Sequence, residues 1–322
     1  MGLPAKKMGI IHVCFNFNPS DFMASEDFFY SSCYKPLVKF LYAHPSFKFS
    51  FSFTGPQLSF YNKKKKEFIS VLKDFSTSKQ IEIIGSAYYN PILPLLSSTD
   101  RNSQIDKFIT EARQVLGKRP RGIFLYDDIW DSSLVNNLHT CGIDYVTLDN
   151  SLFPDFTKNF LPIIMSDLGK NVQIYPTYNV FDFLSSKDLE NLSVENFVSS
   201  LISKVSSAQR KDEYYQFSPE RIVLINLDIS ELEIMLSSKF FENFEEYISK
   251  NACNILTTIP SLYEKCQHDF IPYYLSSGVN KSLNIPYNKT QKDNLQNKKL
   301  EEYYINKYRI NKSTFTKENS KN

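Results

Sequence analysis

Several residue types that carry specialised chemistry are scarce in this 322-residue chain, which has 5 cysteines, 4 histidines, 9 glycines and 1 tryptophan. The cysteines form an odd, scattered set, a pattern typical of free thiols in a reducing compartment. No cysteine or histidine pair stands at the spacing of metal ligands. We therefore expect no metal site and no bound cofactor. The cysteines are Cys14, Cys33, Cys141, Cys253 and Cys266.

Long apolar runs and a strong net charge are also absent. No apolar stretch approaches the roughly 20 residues that a membrane-spanning helix needs. The basic segment Met1–Lys7 precedes an apolar run that is too short for a signal peptide, and no small-residue cleavage site follows it. A formal net charge of +2 argues against nucleic acid as a partner. We expect a soluble cytoplasmic protein with no membrane and no nucleic-acid partner.

What is present is a regular alternation of short apolar strands and helical segments, starting at about Gly9. With 42% hydrophobic and 22% charged residues, the chain can form one large α/β domain or two small ones. The alternation predicts a parallel α/β barrel or a doubly wound sheet. The principal predicted strands end at Phe17, Phe53, Ile84, Leu125, Leu148, Tyr175 and Leu227, and a last short strand covers Asn254–Thr257.

Helices are predicted between these strands, and two have clear boundaries. One covers about Leu58–Phe75. Another can be capped by Thr99 and Asp100 and ends at Gly117. After about Asn280 the sequence becomes rich in Lys, Asn, Gln and Ser. We therefore assign residues 8–269 to a barrel domain and residues 270–322 to a polar C-terminal extension that we expect to be partly disordered.

The stretch at residues 122–130 is the richest in chemistry. Its apolar run Ile123–Leu125 is typical of a strand buried on both faces, and the run ends at Asp127, Asp128 and Trp130. Functional side chains of a parallel barrel lie at the C-terminal ends of its strands. Two carboxylates and an indole suit a sugar, because an acid acts on the glycosidic bond and an indole stacks on the ring. The same residues also fit an exposed acidic turn beside a core tryptophan, and both interpretations stay open.

Further motifs occur in a fixed order along the chain: Tyr34-Lys-Pro36, Phe53-Thr-Gly-Pro56, Gln80-Ile-Glu-Ile-Ile84, Tyr88-Tyr89, Asp100-Arg101 and the segment from Gly142 to Asp149. In these motifs and their order the chain resembles glycoside hydrolase family 57, the α-amylase and 4-α-glucanotransferase group. The resemblance is strongest over about residues 9–153 and weaker over 222–266. It implies a (β/α)7-type distorted TIM-like barrel, an α-glucan or oligosaccharide ligand, and a retaining mechanism.

The resemblance also implies site residues. Asp127 stands where the family has its nucleophilic glutamate. Asp228 can act as the acid/base only if the alignment shifts, because without a gap Ile229 occupies that position. Substrate contacts are implied, or expected from strand-end placement, at Glu82, Tyr88, Tyr89, Asn90, Asp128, Trp130, Asp149 and Glu231. Core packing explains the aromatic members equally well, and a strand glutamate paired to a cation explains Glu82.

The chain departs from the family pattern at groups that matter for catalysis. Phe17 replaces a histidine of the first strand, Asn90 replaces a glutamate after the third, and Asp128 replaces an arginine beside the nucleophile. Asp127 is shorter than glutamate by one bond, about 1.5 Å, and a misplacement of about 1 Å can cost a hundredfold in rate.

Two functions from different classes remain. One is a divergent glycosidase or glucanotransferase with reduced or lost activity. The other is a non-catalytic barrel that binds a glycan or a protein. A metal-dependent deacetylase on a similar barrel lacks the ligands that it would need.

Overall fold

The structure, a computed structural model, describes residues 9–18, 26–153, 160–184, 192–210, 220–251, 254–266 and 270–278. Ten strands lie within these residues: β1 (Ile11–Phe17), β2 (Phe49–Ser52), β3 (Ile81–Ile84), β4 (Gly122–Phe124), β5 (Tyr145–Asp149), β6 (Ile163–Asp167), β7 (Lys170–Asn179), β8 (Arg221–Leu227), β9 (Ile255–Thr257) and β10 (Ile271–Pro272).

Seven of the strands form a ring. Parallel pairing runs from β3 through β2, β1, β8 and β7 to β5 and β4. A parallel bridge between Gly85 and Ile123 joins β3 to β4 and completes the circuit. The prediction of a (β/α)7-type barrel is thereby confirmed, and the doubly wound sheet is excluded because an open sheet has no such closing contact.

Three further strands extend the ring. β6 and β7 form an antiparallel hairpin, whose turn residues Leu168 and Gly169 have φ of 48° and 77°. β9 pairs with the start of β1, and β10 pairs with β6. The sequence analysis predicted β9 but missed β6 and β10. Residues 270–278 therefore contact the barrel, and the rest of the proposed extension lies outside the described residues.

Ten α-helices accompany the strands in the described residues: α1 (Glu26–Phe29), α2 (Lys35–Ala43), α3 (Gly55–Lys64), α4 (Lys66–Thr77), α5 (Ser98–Leu116), α6 (Leu134–Thr140), α7 (Val194–Arg210), α8 (Ile229–Ser237), α9 (Phe240–Lys250) and α10 (Pro260–Cys266). The helix predicted over Leu58–Phe75 is two helices, since Lys65 has φ of −136° and its amine bonds Asp27. The N-cap of α5 is Ser97, not Thr99 or Asp100, while Gly117 ends it as expected.

The apolar core has an outer layer and an inner one. In β1, Val13, Phe15 and Phe17 belong to the large cluster between the sheet and the helices. Cys14 belongs to a small cluster with Tyr145, Ile222 and others from facing strands. Side chains of a strand alternate between its two faces. Cys14 and Asn16, which is two residues further along β1, therefore both point into the barrel.

Two glycines lie at the contact between β3 and β4. Gly85 donates its N–H to the Gly122 carbonyl at 2.9 Å and accepts from Phe124 N at 2.9 Å. A Cβ at Gly85 would overlap the Phe108 ring, and one at Gly122 would overlap the Tyr145 ring. The two glycines therefore leave room for the rings of Phe108 on α5 and Tyr145 on β5, which pack against this seam.

We predict that Gly85→Ala lowers the free energy of unfolding by about 1–3 kcal/mol, because the added methyl overpacks against Phe108. Urea unfolding of the variant measures the loss. In a Phe108→Leu background, where the neighbouring ring is removed, the same substitution should cost clearly less. An equal loss of stability in both backgrounds would show that overlap with the Phe108 ring does not cause the loss.

Candidate active site at the strand ends

Polar side chains gather where the parallel strands end. In a parallel barrel all C-terminal strand ends lie on the same face, so residues distant in sequence meet there. β4 supplies Asp127 and Asp128 just after its end, β5 supplies Asp149, and β8 supplies Asp228. These carboxylates, with Glu231 one helical turn beyond Asp228, make up the candidate site.

The end of β4 has an unusual backbone. Asp127 and Asp128 both have positive φ, 48° and 53°, within a short 3-10 turn at Tyr126–Asp128. The left-handed conformation costs a non-glycine residue about 1–2 kcal/mol, although aspartate tolerates it better than most. Backbone strain of this kind clusters at functional sites. Two strained carboxylate-bearing residues in succession therefore make this turn a candidate for chemistry.

Asp128 and Asp149 connect the ends of β4 and β5. The Asp149 N–H donates to Asp128 Oδ1 at 3.2 Å, and Asp149 Oδ1 accepts from Ser151 N at 2.8 Å. Both side chains are half-buried. The structure thus brings together two of the predicted residues, and it assigns each a backbone partner that fixes its position.

Tyr178, near the end of β7, packs in the outer core, where its ring stacks on Phe160 with 5.0 Å between the ring centroids. Its side chain is 6% exposed, and its hydroxyl has no hydrogen-bond partner among the described residues. Burial raises the pKa of Tyr178, and the charges of Asp182 and Asp149 raise it further.

Asp228 caps helix α8. Its Oδ1 accepts from Glu231 N at 2.7 Å and from Ser230 Oγ at 2.8 Å. Glu231 Oε2 in turn accepts from Asp228 N at 2.8 Å, which completes a capping box. The short sequence Asp-Ile-Ser-Glu that follows β8 therefore has a complete structural role as a helix start.

Glu231 differs from Asp228 in its surroundings. Asp228 is exposed, whereas Glu231 is 7% exposed. Burial raises the pKa of Glu231 to about 7, and the hydrogen bond from the Asp228 backbone opposes that shift, while the charges of Asp228 and Asp182 add to it. Ile229, which follows Asp228, carries no ionisable group and is half-buried.

Below the strand ends lies a polar network that sequence analysis did not single out. Asn16 Nδ2 donates to Ser52 Oγ at 3.0 Å and to Asn226 Oδ1 at 2.8 Å. Asn18 Oδ1 is buried without a partner among the described residues. An asparagine inside an otherwise apolar buried strand, as at Asn16 and Asn226, is the signal that could have found this network.

Phe17 does not fill the site. Its ring packs in the outer core at 5.1 Å from the Tyr34 ring. The end of β1 therefore presents the amides of Asn16 and Asn18 to the site rather than an aromatic plug.

Glu82 lies away from the other candidates, contrary to the expectation of a substrate contact. It sits near the beginning of β3, where Tyr145 Oη donates to its Oε1 at 3.0 Å and Ser261 N donates to its Oε2 at 2.8 Å. Both carboxylate oxygens are thus engaged at the opposite end of the barrel. Glu82 matches a family position by sequence, but it lies far from a sugar bound at the C-terminal ends of the strands.

Trp130 also differs from the expectation of a stacking platform. Its side chain is 1% exposed and belongs to the core cluster around β4 and β5. Its Nε1 donates to Leu275 O at 3.2 Å, and its backbone pairs with Gly278. The segment at residues 270–278 covers the indole, so that neither face is open to a sugar ring.

The residues after β3 lie against α5. Tyr88 is buried, its hydroxyl is 3.1 Å from Ser59 Oγ, and its backbone N–H donates to Gln104 O. Tyr89 is 60% exposed, and Lys107 Nζ lies 4.6 Å from its ring centroid. Asn90 has a positive φ of 48°. Of the three, Tyr89 is the one that offers an accessible aromatic surface.

In the described part of the chain, no group of three or more His, Cys, Asp or Glu side chains is arranged to hold a metal ion. Within that same part, no helix has both the length and the apolar character needed to cross a membrane.

Comparison with known proteins places this geometry in a family. The sequence profile of glycosyl hydrolase family 57 matches residues 6–274. Alpha-amylase 1 of Dictyoglomus thermophilum is 33% identical over 124 residues, which are 38% of this chain and 18% of that protein. The 4-alpha-glucanotransferase of Thermococcus kodakarensis is 31% identical over 151 residues, which are 46% of this chain and 23% of that protein. The aligned part thus spans less than a quarter of either relative.

The solved structures agree on the fold. The 4-alpha-glucanotransferase of Thermococcus litoralis superposes with a TM-score of 0.64 at 20% identity, over 84% of this chain and 42% of that one. Because the family profile covers the barrel from before β1 to beyond β10, this chain belongs to glycosyl hydrolase family 57.

Proposed function

We propose that this barrel binds an α-glucan or a related oligosaccharide at its strand ends, and that its glycosidase activity is reduced or lost. The family membership and the two relatives, named an alpha-amylase and a 4-alpha-glucanotransferase, support a carbohydrate ligand. The altered chemistry at the ends of β4 and β8 supports the loss of activity.

The observation that carries the proposal is the capping role of Asp228. Retaining hydrolysis needs a nucleophile and an acid/base about 5–5.5 Å apart. At the end of β8 the one exposed carboxylate accepts two hydrogen bonds within its own helix cap, and Ile229 takes the family's acid/base position. Both bonds use Oδ1, so a movement of this carboxylate toward a substrate would break the cap of α8.

Glu231, the other carboxyl group beside the end of β8, does not replace Asp228 as an acid/base. Glu231 has a pKa of about 7, which suits a general acid. However, it is buried, and one of its oxygens accepts from the Asp228 backbone. Its geometry therefore favours a structural role over contact with a glycosidic oxygen.

Binding of a sugar does not require the pair of catalytic carboxyl groups that hydrolysis requires. Asp127 and Asp149 offer acceptors, and the amide of Asn18 offers a donor and an acceptor, at the same face of the barrel. Sugar hydroxyls are recognised by such a set of fixed polar groups. Loss of a catalytic group leaves these contacts in place, which is why a family member can retain its ligand without turning it over.

Turnover and binding should separate when the protein is incubated with maltooligosaccharides. We expect saturable binding by calorimetry, while hydrolysis or chain-length redistribution, followed by chromatography, is at least about a hundredfold slower than in an active family member assayed alongside. Any residual turnover should vanish in Asp127→Asn with binding retained. Turnover at the rate of the active enzyme would refute the loss of activity, and absence of both binding and turnover would remove α-glucan as the ligand.

Two substitutions test the capping role of Asp228. Asp228→Ala should lower the free energy of unfolding by about 1 kcal/mol, because the N-cap acceptor is lost. Asp228→Ser keeps a capping oxygen and should stay close to wild type in urea unfolding. If Asp228→Ser is fully stable but abolishes residual turnover, Asp228 is the acid/base after all.

Glu231 should make stability depend on pH. Because its folded pKa of about 7 exceeds its ordinary value, the folded state holds the proton more tightly, and the stability present below about pH 4.5 is lost as pH rises through 7. Glu231→Gln keeps the capping box but not the ionisation. In urea unfolding its stability relative to wild type should rise by about 1–3 kcal/mol between pH 5 and pH 8. A constant difference over this range would contradict the shifted pKa.

A further inference from the structure

A second concave site lies at the N-terminal end of the barrel, away from the strand-end acids. It is a cavity of about 230 Å³. Its walls come from the start of β3, from the loop Lys118–Arg121 that leads into β4, and from residues 259–265 around α10. Because β3 and β4 both begin here, the cavity opens on the face opposite to the candidate active site.

Positive charge dominates this cavity, although the whole chain has a net charge of only +2. One carboxylate, Glu82, also lies in the wall. The cationic side chains in the wall are Lys79, Lys118, Arg119, Arg121 and Lys265.

Two of the cations are held by neutral groups. Lys118 Nζ donates to the Ser76 carbonyl at 2.5 Å, and Arg119 donates through Nη2 to the Gly142 carbonyl. The guanidinium fits because Gly142 has no side chain, since a Cβ there would overlap Arg119 Nη1. Carbonyl partners fix the two cations in place without cancelling their charge, so their remaining N–H groups can donate to an anion.

The acidic groups nearby are occupied elsewhere. Arg121 is neutralised by Asp144 and Glu264, each at 2.7 Å. Glu82 accepts from Tyr145 Oη and Ser261 N. Burial is the main cause that raises the pKa of Glu82. The uncompensated charge of the site is therefore positive.

We propose that this cavity binds a phosphate group, either inorganic phosphate or the phosphoryl group of a phosphorylated hexose, through Lys118 and Arg119 with the exposed Lys79 and Lys265 beside them. Arginine and lysine are the side chains that bind phosphate oxygens by charge-assisted hydrogen bonds. Apolar walls at Ile81 and Leu116 strengthen the field inside the cleft. The volume lies below the range of about 300–1,000 Å³ typical of pockets for larger organic ligands, so a small anion fits better than an oligosaccharide.

Titration calorimetry of the full chain at constant ionic strength tests this site. The probes are inorganic phosphate, glucose 6-phosphate and, as an uncharged control, glucose. We expect saturable binding of at least one phosphorylated probe and none of glucose at the same concentration. Binding of inorganic phosphate alone would identify the free anion as the ligand, and tighter binding of glucose 6-phosphate would identify the sugar phosphate. Absence of saturable binding by both would overturn the proposal.

Variants localise the site. Lys118→Gln/Arg119→Gln should weaken phosphate binding at least about tenfold, since two charge-assisted hydrogen bonds are lost. Lys63→Gln/Lys64→Gln on α3 removes the same charge outside the cavity and should leave the affinity unchanged. If Arg119 is needed for folding, Lys79→Gln/Lys265→Gln changes two exposed side chains instead and should also weaken binding. Equal losses in the α3 control, or none in either cavity variant, would refute the assignment.

This site is independent of the glycan proposal. Maltooligosaccharide binding should be the same in wild type and in the cavity variants, because the two sites lie at opposite ends of the barrel. Failure of phosphate binding would leave the strand-end proposal intact, and failure of glycan binding would leave the cavity intact.

Discussion

The parallel pairing of β1 with β8 is the constraint on which the rest of the structure depends. All seven residues of β1 are in register with β8, from Ile11 opposite Arg221 to Phe17 opposite Leu227. The same strand also pairs with β2 and β9. The register continues past the strand, because Asn18 N donates to Leu227 O at 3.0 Å. The first and last parts of the barrel thus meet residue by residue, and Asn18 lies next to Asp228 in the candidate site.

The alternation of side chains along these strands separates packing from chemistry. Outward residues such as Phe15 join a phenylalanine-rich layer under the helices, where Phe47 and Phe241 contact its ring. Inward residues become polar toward the strand ends, where Asn16 and Asn226 bond to each other. A shift of one residue in register would exchange the two sets. The large aromatic layer therefore holds the polar network in place.

At the end of β8, a carboxylate serves the start of a helix. A helix start needs an acceptor for its free N–H groups, and Asp228 provides it. The hydrogen bonds of this carboxylate with Glu231 N and Ser230 Oγ both belong to the cap. The other end of the barrel shows the opposite arrangement, in which Lys118 and Arg119 are held by carbonyls and keep their charge. Whether a charged group is available to a ligand is decided by the partner that positions it.

Local sequence patterns predicted the strand–helix alternation, the family resemblance and, to within one residue, the ends of six of the seven ring strands. The exception is β7, which was predicted to end at Tyr175 but continues to Asn179. The successful predictions follow from local rules, since apolar runs of strand length and caps such as Gly117 act within a few residues. The contacts of each candidate side chain depend instead on the tertiary fold. Trp130 and Glu82 were both predicted to contact a sugar. The segment at residues 270–278 buries Trp130. Ser261 and Tyr145 hold Glu82 at the N-terminal end of the barrel. Those partners lie tens to more than a hundred positions away in sequence, and only closure of the barrel brings them into contact.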